Sequence, residues 1–246
     1  RLNWEEKVGS FAFSYYNFLF NTNNDTIVNS QILSFINNND MREVYDTINL
    51  RFSSISNLKN DVGNSLYNFK NLFSEYPSPN IITMFSGFNY GVIVEDSLVA
   101  IGLDFYLGKN SIFYQRLGDP EYLRFQKQAR FITPNILEAW YDSFFSFTNK
   151  RTNFLSELIY KGKIMYVISN TLEDFDLRDQ LRFSKNDLQW CDKNESSIWA
   201  FLIDNDVLFS SSEKEYRSYI NHAPFSKGMT QESPSRIAYY IGYKIV

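Results

Sequence analysis

The sequence is poor in the residues that metal and thiol chemistry need, with one histidine, His222, and one cysteine, Cys191, among 246 residues. A single cysteine excludes an intrachain disulfide. Without a CxxC partner, Cys191 is predicted to be a small buried thiol. A single histidine excludes a metal held by two imidazoles, which is a common zinc donor set. His222 lies in a turn-like segment, where we predict a surface or capping role.

Other familiar signals are also missing from the chain. No apolar run approaches the roughly 20 residues that cross a bilayer. The motifs GxGxxG, GxxxxGK[ST] and GxSxG are absent, so nucleotide binding and a nucleophile elbow have no support. The net charge is −4, from 24 basic and 28 acidic residues mixed along the chain. This balance argues against nucleic acid as a partner, because nucleic-acid-binding surfaces are basic.

Aromatic residues are abundant, with 23 Phe and 17 Tyr. They predict a core and surface clefts built largely from packed rings. A ring-lined platform for a glycan or another small molecule is the alternative interpretation.

The first part of the chain, about 1–76, is predicted to be helical. Apolar residues recur at spacings of three and four from Asp40 to Phe73, which indicates one helix or a helix pair. Asp40 and Glu43 are spaced as a capping box at its start. The Pro77-Ser78-Pro79 stretch ends this helical part.

A small antiparallel sheet is predicted within about 80–108. Three short β-prone runs are separated by turn signals. They are Ile81–Phe85, Tyr90–Val94 and Leu98–Tyr106. The last run is apolar on both faces, so we expect it to be the central or a well-covered strand.

The remainder, about 119–246, is predicted to be helical again. Helices are expected at 135–147, 153–168, 184–190, 192–203 and from Ser233-Pro234 to the last residue. Asp192 and Glu195 are spaced as a second capping box. Because no linker or repeat is visible, we predict one mostly helical α+β domain spanning 1–246.

This order of elements is that of zinc peptidases, in which a small sheet precedes a helix carrying His-Glu-x-x-His and a later helix supplies a glutamate. The matching segment here runs from Ser156 to Tyr160, with Glu157 at the general-base position and Glu195 at the later one. Ser156 and Tyr160 replace the two histidines and are poor zinc ligands. We therefore predict a zincin-like (gluzincin-like) fold with a vestigial site and no metal or other cofactor. Ordinary structural roles are the alternative: Glu157 pairs with Lys161, and Glu195 closes a capping box.

Five segments resemble, in order, the gliding-motility lipoprotein GldB family of Bacteroidetes, which is related to proteins regarded as zinc-dependent proteases. The segments are Pro79–Thr83, Ile101–Gly108, Glu157–Lys163, Trp190–Glu195 with Ile198-Trp199, and Ser233–Val246. The resemblance covers most of the chain from about Asp40. It implies a periplasm-facing lipoprotein of the cell envelope, anchored in the membrane by a lipidated cysteine upstream of Arg1. It also implies partners in the gliding and protein-secretion machinery.

The resulting hypothesis is a non-catalytic lipoprotein that binds partner proteins. Its cleft is expected to lie along the strand from Leu98 to Tyr106, where an extended peptide adds a strand. Asp104, Tyr106, Tyr160 and Glu195 are the predicted binding residues. Two alternatives remain: a hydrolase that uses a non-zinc site or a metal bound by carboxylates alone, and a small-molecule or glycan binder.

Overall fold

A computed structural model describes residues 2–22, 24–145, 153–173 and 176–246. Across these residues, thirteen α-helices and two short 3-10 helices surround a three-stranded sheet, which confirms the mostly helical α+β class. The α-helices are α1 Leu2–Val8, α2 Phe11–Phe20, α3 Asp25–Asn37, α4 Asn39–Arg51, α5 Ser56–Leu72, α6 Ile112–Arg116, α7 Glu121–Gln126, α8 Ile132–Phe144, α9 Phe154–Thr171, α10 Leu177–Leu181, α11 Lys185–Asp204, α12 Glu213–Ile220 and α13 Ile237–Ile245. The strands are β1 Asn80–Met84, β2 Val92–Glu95 and β3 Leu98–Gly102, and the 3-10 helices are Leu103–Tyr106 and Ala129–Phe131.

The sheet is mixed rather than antiparallel as predicted, with the strand order β1-β3-β2. β2 and β3 form an antiparallel hairpin, whereas β1 pairs with β3 in parallel. The chain leaves β1 for the far edge and returns through the middle, so β3 is central as expected. Because β3 is paired on both sides, no further strand can pair with it. The prediction that an extended peptide adds a strand along 98–106 is therefore wrong. The predicted strand also ends at Gly102, after which Leu103–Tyr106 turns into a 3-10 helix.

Alternating side chains of β3 enter two separate apolar clusters. Val99 and Ile101 belong to the large cluster, which α5, α8, α9 and α13 also build. Leu98 and Ala100 belong to a smaller cluster with residues of α1, α2 and α3, among them Phe11. All five residues of β3 are buried for this reason.

The helix pair predicted between Asp40 and Phe73 is confirmed as α4 and α5, but its cap lies elsewhere. The side chain of Asn38 accepts the backbone N–H groups of Asp40 and Met41 at 2.9 and 3.1 Å. Asn38 is therefore the N-cap of α4, and the predicted capping box of Asp40 and Glu43 is wrong.

The two helices predicted around Trp190 are one continuous helix, α11. Its capping box joins Ser184 and Asp187, so the predicted box of Asp192 and Glu195 is wrong. Cys191 lies in the middle of α11 and is fully buried, which confirms the buried thiol. Burial raises its thiol pKa and keeps it in the unreactive form.

Two other helix boundaries differ from the prediction. α8 starts at Ile132 with Pro134 in its first turn, and residues 146–147 of the predicted helix lie outside the described residues. The final helix, α13, begins at Ile237 rather than at Pro234, because Arg236 adopts a left-handed conformation with φ of +62°. This late start places Arg236 just before the first turn of α13.

The packing of α13 on α9 depends on two glycines at the crossing point. A Cβ on Gly162 would lie 2.2 Å from the carbonyl carbon and oxygen of Gly242. A Cβ on Gly242 would lie 2.1 Å from the carbonyl oxygen of Leu158. Only glycine allows so close a backbone approach, and the approach places the start of α13 beside α8 and α9.

Candidate functional site

Three parts of the chain meet at Glu138, which lies on α8. The Oε2 atom of Glu138 is 2.7 Å from Nη2 of Arg182, which follows α10, and 3.4 Å from Nη2 of Arg236. Its Oε1 atom accepts a hydrogen bond from the hydroxyl of Tyr239 at 2.8 Å. Arg182 and Arg236 are only 3 % and 7 % exposed, so this is a buried cluster of two cations around one carboxylate. We call Glu138, Arg182, Arg236 and Tyr239 the ionic cluster.

The charges of the ionic cluster hold Glu138 ionised. Burial alone would raise the pKa of Glu138, but Arg182, Arg236 and Lys161 outweigh it and lower the pKa to about 2. Both arginines adopt left-handed backbone conformations, with φ of +59° and +62°. Residues other than glycine rarely do so, and such strained positions are often found at functional sites.

A cleft of about 550 Å³ opens beside the ionic cluster. Its walls include the start of β2, the 3-10 helix after β3, α8 and the segments around residues 222 and 236. The lining residues include Asn89, Gly91, Val92, Phe105, Tyr106, Asp119, Gln126, Lys127, Asn135, Glu138, Asp142, His222 and Arg236. A second cleft of about 430 Å³, lined by Arg182 and Ser184, shares Gln126 with the first. The cleft therefore joins an edge of the sheet to the ionic cluster.

His222 lies in this cleft rather than at an exposed surface or a helix cap, contrary to the prediction. Its Nδ1 atom is buried and has no hydrogen-bond partner among the described residues, and the same holds for Nε of Arg236. Burial, followed by the charges of Arg236 and Arg182, lowers the pKa of His222 to about 2, so the ring is neutral at physiological pH. The only signal for His222 in the sequence is that it is the single histidine of the chain.

The predicted vestigial residues on α9 face different neighbours. Ser156 donates its hydroxyl to Asn153 at 2.9 Å, at the start of the helix. Glu157 accepts a hydrogen bond from Tyr216 of α12. The hydroxyl of Tyr160 donates to Asp142 of α8.

The glutamate from the later helix is not brought to Glu157. Glu195 on α11 accepts from the hydroxyl of Tyr240 at 3.2 Å and lies 3.9 Å from Nζ of Lys244, both on α13. Lys161 pairs with Asp142 at 3.6 Å. Within the described part of the chain, no group of three or more His, Cys, Asp or Glu side chains is placed to hold a metal ion.

Asp104 and Tyr106, the remaining predicted binding residues, are both fully buried. The carboxylate of Asp104 accepts the backbone N–H groups of Ser86 and Phe88 at 2.8 and 2.6 Å, and the Ser86 hydroxyl at 3.1 Å. The hydroxyl of Tyr106 accepts from Asn135 at 2.7 Å. Asp104 thus shapes the loop before β2, and Tyr106 contributes to the wall of the cleft.

We expect Asp104→Ala to lower the free energy of unfolding by about 3 kcal/mol, because it strands the buried donors of Ser86 and Phe88. Urea unfolding followed by circular dichroism measures this loss. Asp46→Ala, on the exposed side of α4, is the control and should change stability by less than about 0.5 kcal/mol. Equal losses in the two variants would contradict the role given to Asp104.

These features define a mostly helical α+β protein with a polar cleft between a sheet edge and a buried ionic cluster. The family model for gliding motility protein GldB matches residues 2–246, and the chain belongs to this family. The resemblance seen in the five sequence segments is therefore confirmed. Membership of this family indicates a role in gliding motility. The family name also marks its members as lipoproteins. Searches among curated proteins and solved structures gave no match. None of the described helices is long and apolar enough to cross a membrane.

Proposed function

We propose that this chain is a non-catalytic, periplasm-facing lipoprotein of the cell envelope that binds an extended segment of a partner protein. The partner would belong to the gliding machinery, as the family's role in gliding motility suggests, or to protein-secretion machinery associated with it. The observation that carries the proposal is the position of β2, whose start at Val92 lines the cleft. Within the described residues β2 pairs with β3 alone, so the backbone groups along its other edge have no strand partner.

The register of the hairpin shows which backbone groups that edge offers. The N–H of Gly102 donates to the carbonyl of Gly91 at 3.0 Å, which makes these two residues a hydrogen-bonded pair. In an antiparallel ladder the next residue along points its N–H and C=O the other way. Val92 and Val94 therefore direct their backbone groups away from β3, where a partner strand can pair with them.

The side chains favour binding over catalysis. Ser156 and Tyr160 stand where a zincin-like peptidase would carry its histidines, and Glu157 and Glu195 bond to α12 and α13 respectively. None of these four residues lines the cleft, so the proposed binding edge does not depend on them. The proposal includes a zincin-like architecture, because the sheet, α9 and α11 follow one another along the chain in the order expected of such a peptidase.

The test is site-specific photo-crosslinking in cells, combined with a block of the β2 edge. A benzophenone amino acid at Asn89, on the exposed rim of the cleft, should cross-link to one envelope protein. The same probe at Asn64, on the exposed side of α5, should give background only.

Val94→Pro removes the outward N–H of β2 and should lower the Asn89 cross-link about tenfold, since an added strand depends on such bonds. Colony spreading should fall with it. Val94→Thr keeps the N–H and serves as the matched control. A folded Val94→Pro protein with an undiminished cross-link would rule out the β2 edge as the binding site.

A further inference from the structure

Two residues that line one end of the cleft each carry a buried nitrogen atom without a hydrogen-bond partner among the described residues, Nε of Arg236 and Nδ1 of His222. The guanidinium of Arg236 cannot easily turn away. It lies 3.7 Å above the ring of Tyr239, and its Nη2 is 3.4 Å from Glu138. Leaving a buried N–H donor unpaired is unfavourable, so this arrangement indicates a site that a bound acceptor completes.

Each carboxylate that lines the cleft already faces a cation. The pairs are Glu138 with Arg182 and Arg236, Asp119 with Lys127 at 2.6 Å, and Asp142 with Lys161 at 3.6 Å. Two of these four cations, Lys127 and Arg236, line the cleft as well, whereas Lys161 and Arg182 do not. Because these three carboxylates are already paired, the acceptor that Nε of Arg236 lacks has to come from a ligand.

The start of a helix adds to the positive potential that Arg236 creates at this end of the cleft. The nine-residue helix α13 begins at Ile237, directly after Arg236, so the positive end of its dipole lies at the cleft. Burial, followed by the nearby charges of Arg236 and Arg182, lowers the pKa of His222, so the ring adds no charge of its own. A neutral imidazole can carry its proton on Nδ1 and donate it to an acceptor.

We propose that Arg236 and His222 bind a carboxylate of the partner segment, through the unpaired Nε and Nδ1 atoms. The carboxylate is either the C-terminal group of the segment or an Asp or Glu side chain within it. This inference rests on the proposed function, because the ligand is the same extended segment that pairs with β2. It adds that the segment must carry a negative charge where it reaches the ionic cluster. A hydrogen bond to a charged acceptor is stronger than one to a neutral acceptor, so the site should select for such a segment.

The single histidine makes the site directly observable, since 13C-histidine labelling of the full chain gives one imidazole signal. The probes are N-acetyl-trialanine with a free carboxylate, its C-terminal amide, N-acetyl-Ala-Asp-Ala amide, and inorganic phosphate. We expect a saturable shift of the His222 signal with at least one of the two carboxylate peptides. The trialanine amide should bind about tenfold more weakly than that peptide, because it lacks the charged acceptor.

The outcomes separate this inference from the proposed function. If the amide binds as tightly as the carboxylates, the carboxylate site is refuted while peptide binding in the cleft stands. If phosphate saturates the signal at lower concentration than either carboxylate peptide, the site belongs to phosphate and the inference is wrong. If no probe shifts the signal, the carboxylate site is refuted, and cross-linking at Asn89 decides on the peptide cleft by itself.

Variants test the assignment to these residues. Arg236→Gln should abolish the preference for the carboxylate over the amide, whereas Arg130→Gln, an exposed arginine paired with Asp179, should keep it. His222→Leu leaves the arginine–glutamate contacts untouched, so it remains informative should Arg236→Gln not fold. By calorimetry, His222→Leu should lose most of the same preference. A folded His222→Leu protein that keeps the full preference would overturn the role of His222.

Discussion

Gly162→Ala is expected to destabilise the protein by about 3 kcal/mol or more, a large effect for one methyl group. The added Cβ would lie 2.2 Å from backbone atoms of Gly242, and backbone atoms cannot rotate away as a side chain can. The helices α9 and α13 must therefore separate, which loosens the buried residues of α13. Thermal and urea unfolding of the purified variant measure the loss.

The matched control is Gly63→Ala, also within a helix. A Cβ at Gly63 on α5 would meet no atom within 4 Å. Alanine is the better helix former, so this variant should be unchanged or up to about 1 kcal/mol more stable. If both alanine variants were equally stable, close packing of α9 and α13 at Gly162 would be incorrect.

Glu138→Gln is expected to cost about 3–5 kcal/mol at neutral pH, because it leaves Arg182 and Arg236 buried without their counter-charge. Glu195→Gln is the control. Its partner Lys244 is 3.9 Å away and its side chain is 38 % exposed, so its loss should stay below about 1 kcal/mol. Urea unfolding at pH 7 compares the two variants.

The pH dependence gives a second measurement on the same residue. The pKa of Glu138 is about 2 in the folded protein, below its ordinary value of 4.5. A lowered folded pKa contributes stability above pH 4.5, and that contribution of about 3 kcal/mol is lost as the pH falls from 4.5 toward 2. The gap between wild type and Glu138→Gln should therefore narrow across this window. A constant gap would show that Glu138 does not titrate as described.

Local patterns in the sequence predicted the helices better than they predicted the sheet. The periodicity from Asp40 to Phe73 located α4 and α5 because helix contacts repeat within one segment. Capping was less certain, since Asn38 and Asp40 are both good N-cap residues and only the chain geometry chooses Asn38. The parallel pairing of β1 with β3 depends on the path of the chain between strands, which no short pattern encodes.

The candidate site shows the same division between local and long-range information. The peptidase-like spacing correctly placed Glu157 and Glu195 on helices but could not say which neighbours they face. Glu138 and Arg236 are 98 positions apart, and no motif connects them. Their meeting depends on the α9–α13 crossing, which only the folded chain reveals.

The division of β3 between two apolar clusters affects how the protein unfolds locally. The small cluster combines residues of α1, α2 and α3 with Met84, Leu98 and Ala100 of the sheet. Cooperative unfolding units often coincide with separate apolar clusters. We therefore expect the smaller cluster to unfold locally at a lower free energy than the larger one. The N-terminal helices can then detach and rejoin in a sub-global fluctuation that uncovers Ile93 of β2, while α8 and the ionic cluster keep their native packing.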